Sequence, residues 1–225
     1  MRCLVLDRSS ARPGMAVFED GELRFEQIWD GEPTRVPEWI ARTVEALAEH
    51  GWDVPSLGAF VCGLGPGSFS GIRACLSALQ GMALPSGLPV WGVASAAALA
   101  LGQGDGEVTV VGDARRNRLW CASYAVKAGR VCLIDGRAPT HTGADFQLVP
   151  AEALAQAVPV GTRVVSVDWD RLSGLLAATF PTARLVAAPV FPRPADVGRL
   201  ALGDASNRVA EPLPIYLHPA VAAKE

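Results

Sequence analysis

The stretch GLGPGSFSGIR, from Gly63 to Arg73, is the part of this sequence best suited to chemistry. It follows the apolar run AFVC (Ala59 to Cys62), which reads as a buried strand. It precedes IRACLSALQGMAL (Ile72 to Leu84), which reads as a helix. A strand, a glycine-rich turn and a helix start are the parts of an anion cradle. Glycines let the backbone approach a ligand, and the first helical turn aims free N–H groups at it. The common phosphate motifs do not fit. No Lys-Ser/Thr follows the turn, so it is not a P-loop, and Gly63-x-Gly65-x-x-Ser68 lacks the third glycine of the dinucleotide fingerprint. In Gly67-Ser68-Phe69-Ser70-Gly71, phenylalanine stands where a hydrolase elbow needs its serine. A tight turn with Ser68 or Ser70 as helix N-cap explains the same residues without a ligand.

Other candidate groups are few. Asp7 ends the first apolar run and Asp113 ends its counterpart in the second half. Two carboxylates so placed could hold Mg²⁺ and phosphate, or could each cap the turn that follows. The turn reading is preferred for catalysis, because the loop RSSARPG after Asp7 carries Arg8, Arg12 and Pro13 where a phosphate loop needs glycines. Asp7, Gly65, Gly67, Ser68 and Asp113 are thus the candidates for a weak nucleotide or anion site. The histidines, His50, His141 and His218, stand in unrelated contexts without H-x-x-x-H or H-E-x-x-H spacing, so no metal site is expected. No local motif sets a serine beside a histidine. Cys62 and Cys75 flank the turn as core residues.

These groups must be positioned by a chain of 225 residues, half of them hydrophobic, with net charge −3. That is ample for a packed core, and without a basic stripe the chain alone is a poor nucleic-acid binder. The five cysteines lie in apolar runs without a C-x-x-C pair, which favours a reducing compartment. The apolar residues before Asp7 are too few for a signal peptide, and no apolar run reaches membrane-spanning length. A cytoplasmic protein without membrane association is expected.

The first half reads as RCLVLDR, GMAVFED and ELRFEQIW (strands, the latter two joined at Glu19-Asp20-Gly21), the helix VPEWIARTVEALAEHG, AFVCG, the helix Ile72 to Leu84, PVWGV and the helix SAAALALG capped by Ser95. In the first helix, Val36, Ile40, Val44 and Leu47 fall at helical spacing. The second half repeats the order: EVTVVGD, RLWCASYAV and RVCLIDG, helix VPAEALAQAV, strand RVVSVDW, helix RLSGLLAATF, strand ARLVAAP, helix ADVGRLALGDA. The composition loosens at LGQGDG (Leu101 to Gly106). Two subdomains, 1–103 and 104–225, of a duplicated ribonuclease-H-like α/β fold, as in actins, Hsp70s and sugar kinases, follow by analogy. The second helix is apolar nearly all round, with Arg73 and Gln80 its markedly polar residues. Small residues at Ala74, Ser77, Ala78 and Gly81 would let another helix approach, and core and interface are equally served by this pattern.

Four stretches in register resemble the TsaB (YeaZ) family. GPGSFSGIR is similar to the family's GPGSFTGIR, with Ser70 keeping the hydroxyl. RCLVLDRSS resembles a first strand ending in Asp-Thr-Ser or Asp-Thr-Ala, with Arg8 in place of Thr. VVGDARRNRLWCASY resembles the strand, Asp-Ala-Arg turn and second strand, and EPLPIYLHP the Pro-x-Tyr-Leu-Arg segment. The family's histidine cluster before the first helix has no counterpart in GEPTRVPEWI (Gly31 to Ile40). The resemblance implies a non-catalytic partner of a TsaD-type transferase that makes N6-threonylcarbamoyladenosine at position 37 of tRNA. The implied components are the TsaD-type catalytic paralogue, whose histidine pair on one helix this chain lacks, and a TsaE-type P-loop ATPase. The resemblance also implies homodimerisation when the chain is alone and tRNA contact only through the complex. No cofactor is required, with room for weak ATP or ADP binding. The implied partner interface comprises Phe69, Ile72, Arg73, Ala74, Ser77, Ala78, Gly81, Ile40 and Val44. The alternative is an actin-fold phosphotransferase or ATPase using Asp7, Asp113 and the Gly65–Gly71 turn.

Overall fold

The computed structural model of the chain describes residues 1–29 and 36–218. The missing-histidine stretch before the first helix lies largely outside these residues, as do Pro219 and the side chain of Val36. Strand β1 (Arg2–Asp7) is apolar and buried along nearly its whole length, as a central strand flanked on both faces must be. It pairs antiparallel with β2 (Gly14–Glu19), which turns through Asp20 and Gly21, both at positive φ, into β3 (Glu22–Ile28). Helix α1 (Val36–Glu49), strand β4 (Ala59–Gly63), helix α2 (Phe69–Ala83), strand β5 (Val90–Val93) and helix α3 (Ser95–Leu101) complete the first half. The sheet order is β3-β2-β1-β4-β5, with β1, β4 and β5 parallel.

The second half repeats this plan. Strands β6 (Gly106–Arg115), β7 (Arg118–Lys127) and β8 (Arg130–Leu133) form the meander. After β9 (Gln147–Val149) and α4 (Leu154–Ala157) come β10 (Arg163–Ser166), α5 (Trp169–Thr179), β11 (Leu185–Pro189) and α6 (Pro194–Gly203). The order β8-β7-β6-β10-β11 mirrors the first sheet strand for strand, with β9 added on β7. This is the duplicated ribonuclease-H-like fold.

Two expectations are corrected. The helix expected over VPAEALAQAV shrinks to a 3₁₀ turn (Ala151–Ala153) and the short α4, because β9 takes up the residues just before Pro150. Ser95 does not cap α3: its hydroxyl instead accepts the Gly65 N–H at 3.0 Å. In α1 the buried stripe is Trp39, Thr43, Ala46 and Leu47, so Val44 faces outward.

The last helix of each half packs against the sheet of the other. Helix α6 lies on β1, β2, β4 and β5, and α3 lies on β6, β7 and β8 and against α6. A Cβ on Gly198 of α6 would stand 2.2 Å from the Phe18 ring of β2, so glycine lets the helix sit this close. Glu26 of β3 caps α6, accepting the Ala195 N–H at 2.9 Å. Alternation along β7 divides the interior. Trp120, Ala122, Tyr124 and Val126 join the core shared by both sheets. Leu119 and Cys121 join a second cluster with Leu172, Leu176 and Phe180.

His141, buried in the loop before β9, accepts the Ala94 N–H at 3.0 Å through Nδ1, so its neutral form carries the proton on Nε2. Burial lowers its pKa below the usual value of 6.5, against the opposing pull of Asp145 and the Asn207 backbone. A lowered histidine pKa means the unfolded chain binds more protons, so stability is lost as pH falls below 6.5. The melting temperature should drop between pH 7 and pH 5. His141→Asn, which can adopt the positive φ of this position, should melt with a shallower pH dependence than wild type; equal slopes would remove His141 as the cause.

Candidate functional site

A cleft of about 840 Å³ opens where the carboxyl ends of the parallel pairs β1–β4 and β6–β10 meet. Ligands in open α/β sheets bind at such ends. Its walls are the β1–β2 loop (Ser9 to Ala11), the β4–α2 turn (Pro66 to Phe69) and the β6–β7 tip (Asp113 to Arg116). The start of α5 (Val167, Asp168, Arg171) and the C-terminal segment Ile215 to His218 close it.

The glycine turn is shaped by the protein itself. A Cβ at Gly67 would lie 2.0 Å from the Ser9 carbonyl oxygen, and one at Gly71 would lie 2.3 Å from that of Arg8. A Cβ at Gly63 would lie 1.9 Å from the Asp7 carboxylate. The Ser68 N–H donates to the Ser9 carbonyl at 2.7 Å. The glycines therefore let the turn press onto the β1–β2 loop. Ser68 caps α2, its hydroxyl accepting the Gly71 N–H at 3.2 Å, which starts the helix at Phe69 rather than Ile72. Gly65 follows at φ +91 and joins Pro66 through a cis peptide. Gly67 and Ser68 line the cleft.

The two aspartates differ. Asp7 is buried behind Ser9 and is not among the cleft-lining residues. Its Oδ1 accepts the Ser9 N–H at 2.8 Å and the Ser9 hydroxyl at 2.7 Å. Burial pushes its pKa up, opposed by the Ser95 and Ser9 hydrogen bonds. Oδ2 finds no partner of ordinary geometry, although the Ser95 hydroxyl lies beside it. Asp113 does line the cleft, with its charge already engaged. Oδ1 accepts the Arg115 N–H at 2.7 Å, and Oδ2 lies 3.2 Å from Arg115 and 3.4 Å from Arg171. Among the described residues no three His, Cys, Asp or Glu side chains cluster as metal ligands would.

Sequence reasoning missed the basic wall. Arg115, Arg116 and Asn117 all hold positive φ at the β6–β7 tip, a conformation that non-glycine residues enter at roughly 1–2 kcal/mol each. Asp168 braces the tip, accepting the Asp113 N–H at 2.9 Å and pairing with Arg171, whose own pKa it raises. The only signal in the sequence was the Asp-Ala-Arg turn.

Four of the nine expected interface residues lie on the open side of α2. Phe69 is 58% exposed, and Arg73, Ser77 and Gly81 are exposed beside it. Ala74 and Ala78 are half-buried against the core, as is Ile40 of α1; Val44 of α1 is exposed. Ile72 is a correction: it is buried, packed under Gly65, and presents no surface. Tyr216, absent from the expected set, joins Phe69 with ring centroids 5.5 Å apart.

Two tests follow. Gly67→Ala should lower stability by about 1–3 kcal/mol or more, because the new methyl meets backbone. Gly81→Ala meets nothing within 4 Å and should add about 0.5–1 kcal/mol. Thermal melts that fail to separate the two would refute this account of the turn. Asp7→Asn addresses the buried carboxyl. A raised carboxyl pKa means the folded state holds the proton more tightly than the unfolded chain, so stability is lost as pH rises from the ordinary value of 3.8 through the folded pKa. The asparagine variant should melt higher than wild type at pH 7, with the gap closing toward pH 4.

The sequence profile of the family described as TsaD, tRNA N6-adenosine threonylcarbamoyltransferase, matches residues 37–155, just over half of the chain. An uncharacterized protein of Mycobacterium tuberculosis is 40% identical over 79 residues, covering 35% of this chain and 37% of its own length. The match thus spans little more than a third of that relative. The tRNA threonylcarbamoyladenosine biosynthesis protein TsaB of Escherichia coli is 29% identical over 130 residues, 55% of each chain. The solved structure of YeaZ from Pseudomonas aeruginosa has a TM-score of 0.70 at 23% identity, covering 89% of this chain and 90% of that one, and shows the same fold. The chain belongs to the family described as TsaD, tRNA N6-adenosine threonylcarbamoyltransferase, and its likeness within that family is to the TsaB (YeaZ) proteins.

Proposed function

We propose that this chain is a non-catalytic partner that binds and activates a TsaD-type paralogue, which transfers a threonylcarbamoyl group to N6 of adenosine 37 in tRNA. The observation that carries the reading is the open face of α2. Leu84 at 80% exposure and Phe69 at 58% flank the small residues Ser77 and Gly81, a low-relief surface with Arg73 and Gln80 as its polar groups, on which another helix can lie. The cleft supports the non-catalytic half of the reading. Asp113 is neutralised in place by Arg115 and Arg171, and Asp7 is sequestered. The sequence has no histidine pair spaced one helical turn apart to hold a metal. The chain's contribution is then binding energy that favours the active arrangement of its partner. The same face would serve a homodimer when the paralogue is absent, a TsaE-type ATPase would join the pair, and tRNA would be held through the complex.

A reconstitution tests this. The purified chain should produce no threonylcarbamoyladenosine alone and should stimulate its own organism's TsaD-type protein. Ser77→Trp, a bulky change on the exposed side of α2, should abolish stimulation and co-elution while leaving the melting temperature within a few degrees of wild type. Product formed by the chain alone at the rate of the complex would reject the reading. So would ATP turnover at ordinary enzyme rates, which would favour an actin-fold ATPase instead.

A further inference from the structure

We propose that Arg73 is the recognition residue of the open α2 face and that it takes a carboxylate presented by the partner protein. This rests on the partner reading above. Arg73 is the one charged residue of α2, and the helix carries no acid. Its guanidinium lies 4.2 Å from the centroid of the Phe69 ring and 5.5 Å from that of Tyr216. Nε donates to the Tyr216 hydroxyl at 2.7 Å. Phe69 stands one helical turn before Arg73, so both project from the same side of the helix.

These contacts hold a flexible side chain in one place. The aromatic faces attract the cation without neutralising it, and the bond to Tyr216 fixes the plane of the fork. Among the described residues no acid lies within ion-pair distance of Arg73. In the adjoining cleft, by contrast, Arg115 and Arg171 already share Asp113. Arg73 is therefore a pre-ordered donor set with its charge unspent. Phe69 and Tyr216 beside it are large and exposed, and Leu84 is exposed about three turns further along the helix. An arginine held against two aromatic rings that shed water on docking is the pattern of an interface hot spot. A planar fork suits a carboxylate in two-point contact. Helix α2 of a second copy has no carboxylate to offer it, so the proposal takes the acid from the paralogue, and self-association is the competing outcome of the test.

Tyr216 is a positioning residue in this scheme. It sits in the C-terminal segment, which is tied down on both sides. Ile215 donates to the Leu64 carbonyl at 3.0 Å, and the His218 ring meets the Ala114 carbonyl at 2.6 Å. The segment thereby sets the orientation of Arg73 from outside α2.

The test measures affinity for the TsaD-type paralogue of the same organism with wild type, Arg73→Gln, Arg73→Lys and Tyr216→Phe, each at several KCl concentrations. Near-ultraviolet circular dichroism checks each fold, and Arg73→Lys retains the charge should the glutamine variant unfold. Arg73→Gln should bind roughly tenfold or more weakly, with a shallower salt dependence, and Arg73→Lys should recover only part of the loss. Tyr216→Phe should weaken binding less than Arg73→Gln while keeping the wild-type salt dependence. Replacing the facing partner acid by arginine should restore binding to Arg73→Glu. Equal affinity and salt dependence for wild type and Arg73→Gln would overturn the proposal and leave the partner reading standing. If the wild-type chain fails to bind the paralogue, both fall. If Arg73→Gln instead loses self-association in light scattering while still capturing the paralogue, the face belongs to a second copy and the proposal fails.

Discussion

Everything at the working end of this molecule depends on how closely the β4–α2 turn is pressed onto the β1–β2 loop. The Ser68 N–H reaches the Ser9 carbonyl at 2.7 Å, and neither Gly67 nor Gly71 has room for a side chain. That contact fixes where α2 begins and hence the azimuth of each of its residues. At about 100° per residue, Ile72, Cys75, Leu76, Leu79 and Ala83 turn inward, and Phe69, Arg73, Ser77 and Leu84 turn out. A shift of the helix start by one residue would rotate Arg73 away from Phe69 and Tyr216. The same contact places Asp7 behind Ser9 rather than in the cleft. One backbone-to-backbone approach thus decides both the exposed face and the floor of the cleft.

The exchange of terminal helices supplies the rigidity this requires. Because α6 of the second half lies on the first sheet, and α3 of the first half on the second, hydrophobic burial spans both halves. Polar contacts reinforce it: Glu26 of β3 caps α6, and His141 of the second half holds the Ala94 N–H where α3 begins. The walls of the cleft are therefore joined below it. Above it the chain from Val209 to His218 pairs with β5 at Gly92, passes Leu64, and meets the Ala114 carbonyl through His218.

The order of elements was legible from sequence because most strands are bounded by glycine or turn residues and their apolar runs are unbroken. Ala59–Gly63 and Arg163–Ser166 are examples. What failed was local and has physical causes. Three residues of β9 have no period to detect, and they consumed the start of the expected helix. Ser95 looks like a cap but serves the Gly65 N–H across 30 positions of sequence. The site was half legible. The glycines of the turn were visible, but their role was not, since it depends on the carbonyls of Arg8 and Ser9. Tyr216 reaches Arg73 across 143 positions, which no local pattern announces.

The carboxylates of the cleft are engaged by the protein itself. Catalytic carboxylates in such clefts need freedom to take a metal or a proton, with pKa values matched to the step. Asp113 instead spends one oxygen on a backbone N–H and the other on two guanidinium groups, and Asp168 is committed to Asp113 and Arg171. The left-handed run Arg115 to Asn117 is the strained element of the site, and Asp113 and Asp168 are the residues that pin it. Strain maintained by two buttressing carboxylates holds a surface in shape. What the duplicated fold retains at its crevice is thus a fixed, arginine-rimmed mouth. It adjoins the open face of α2.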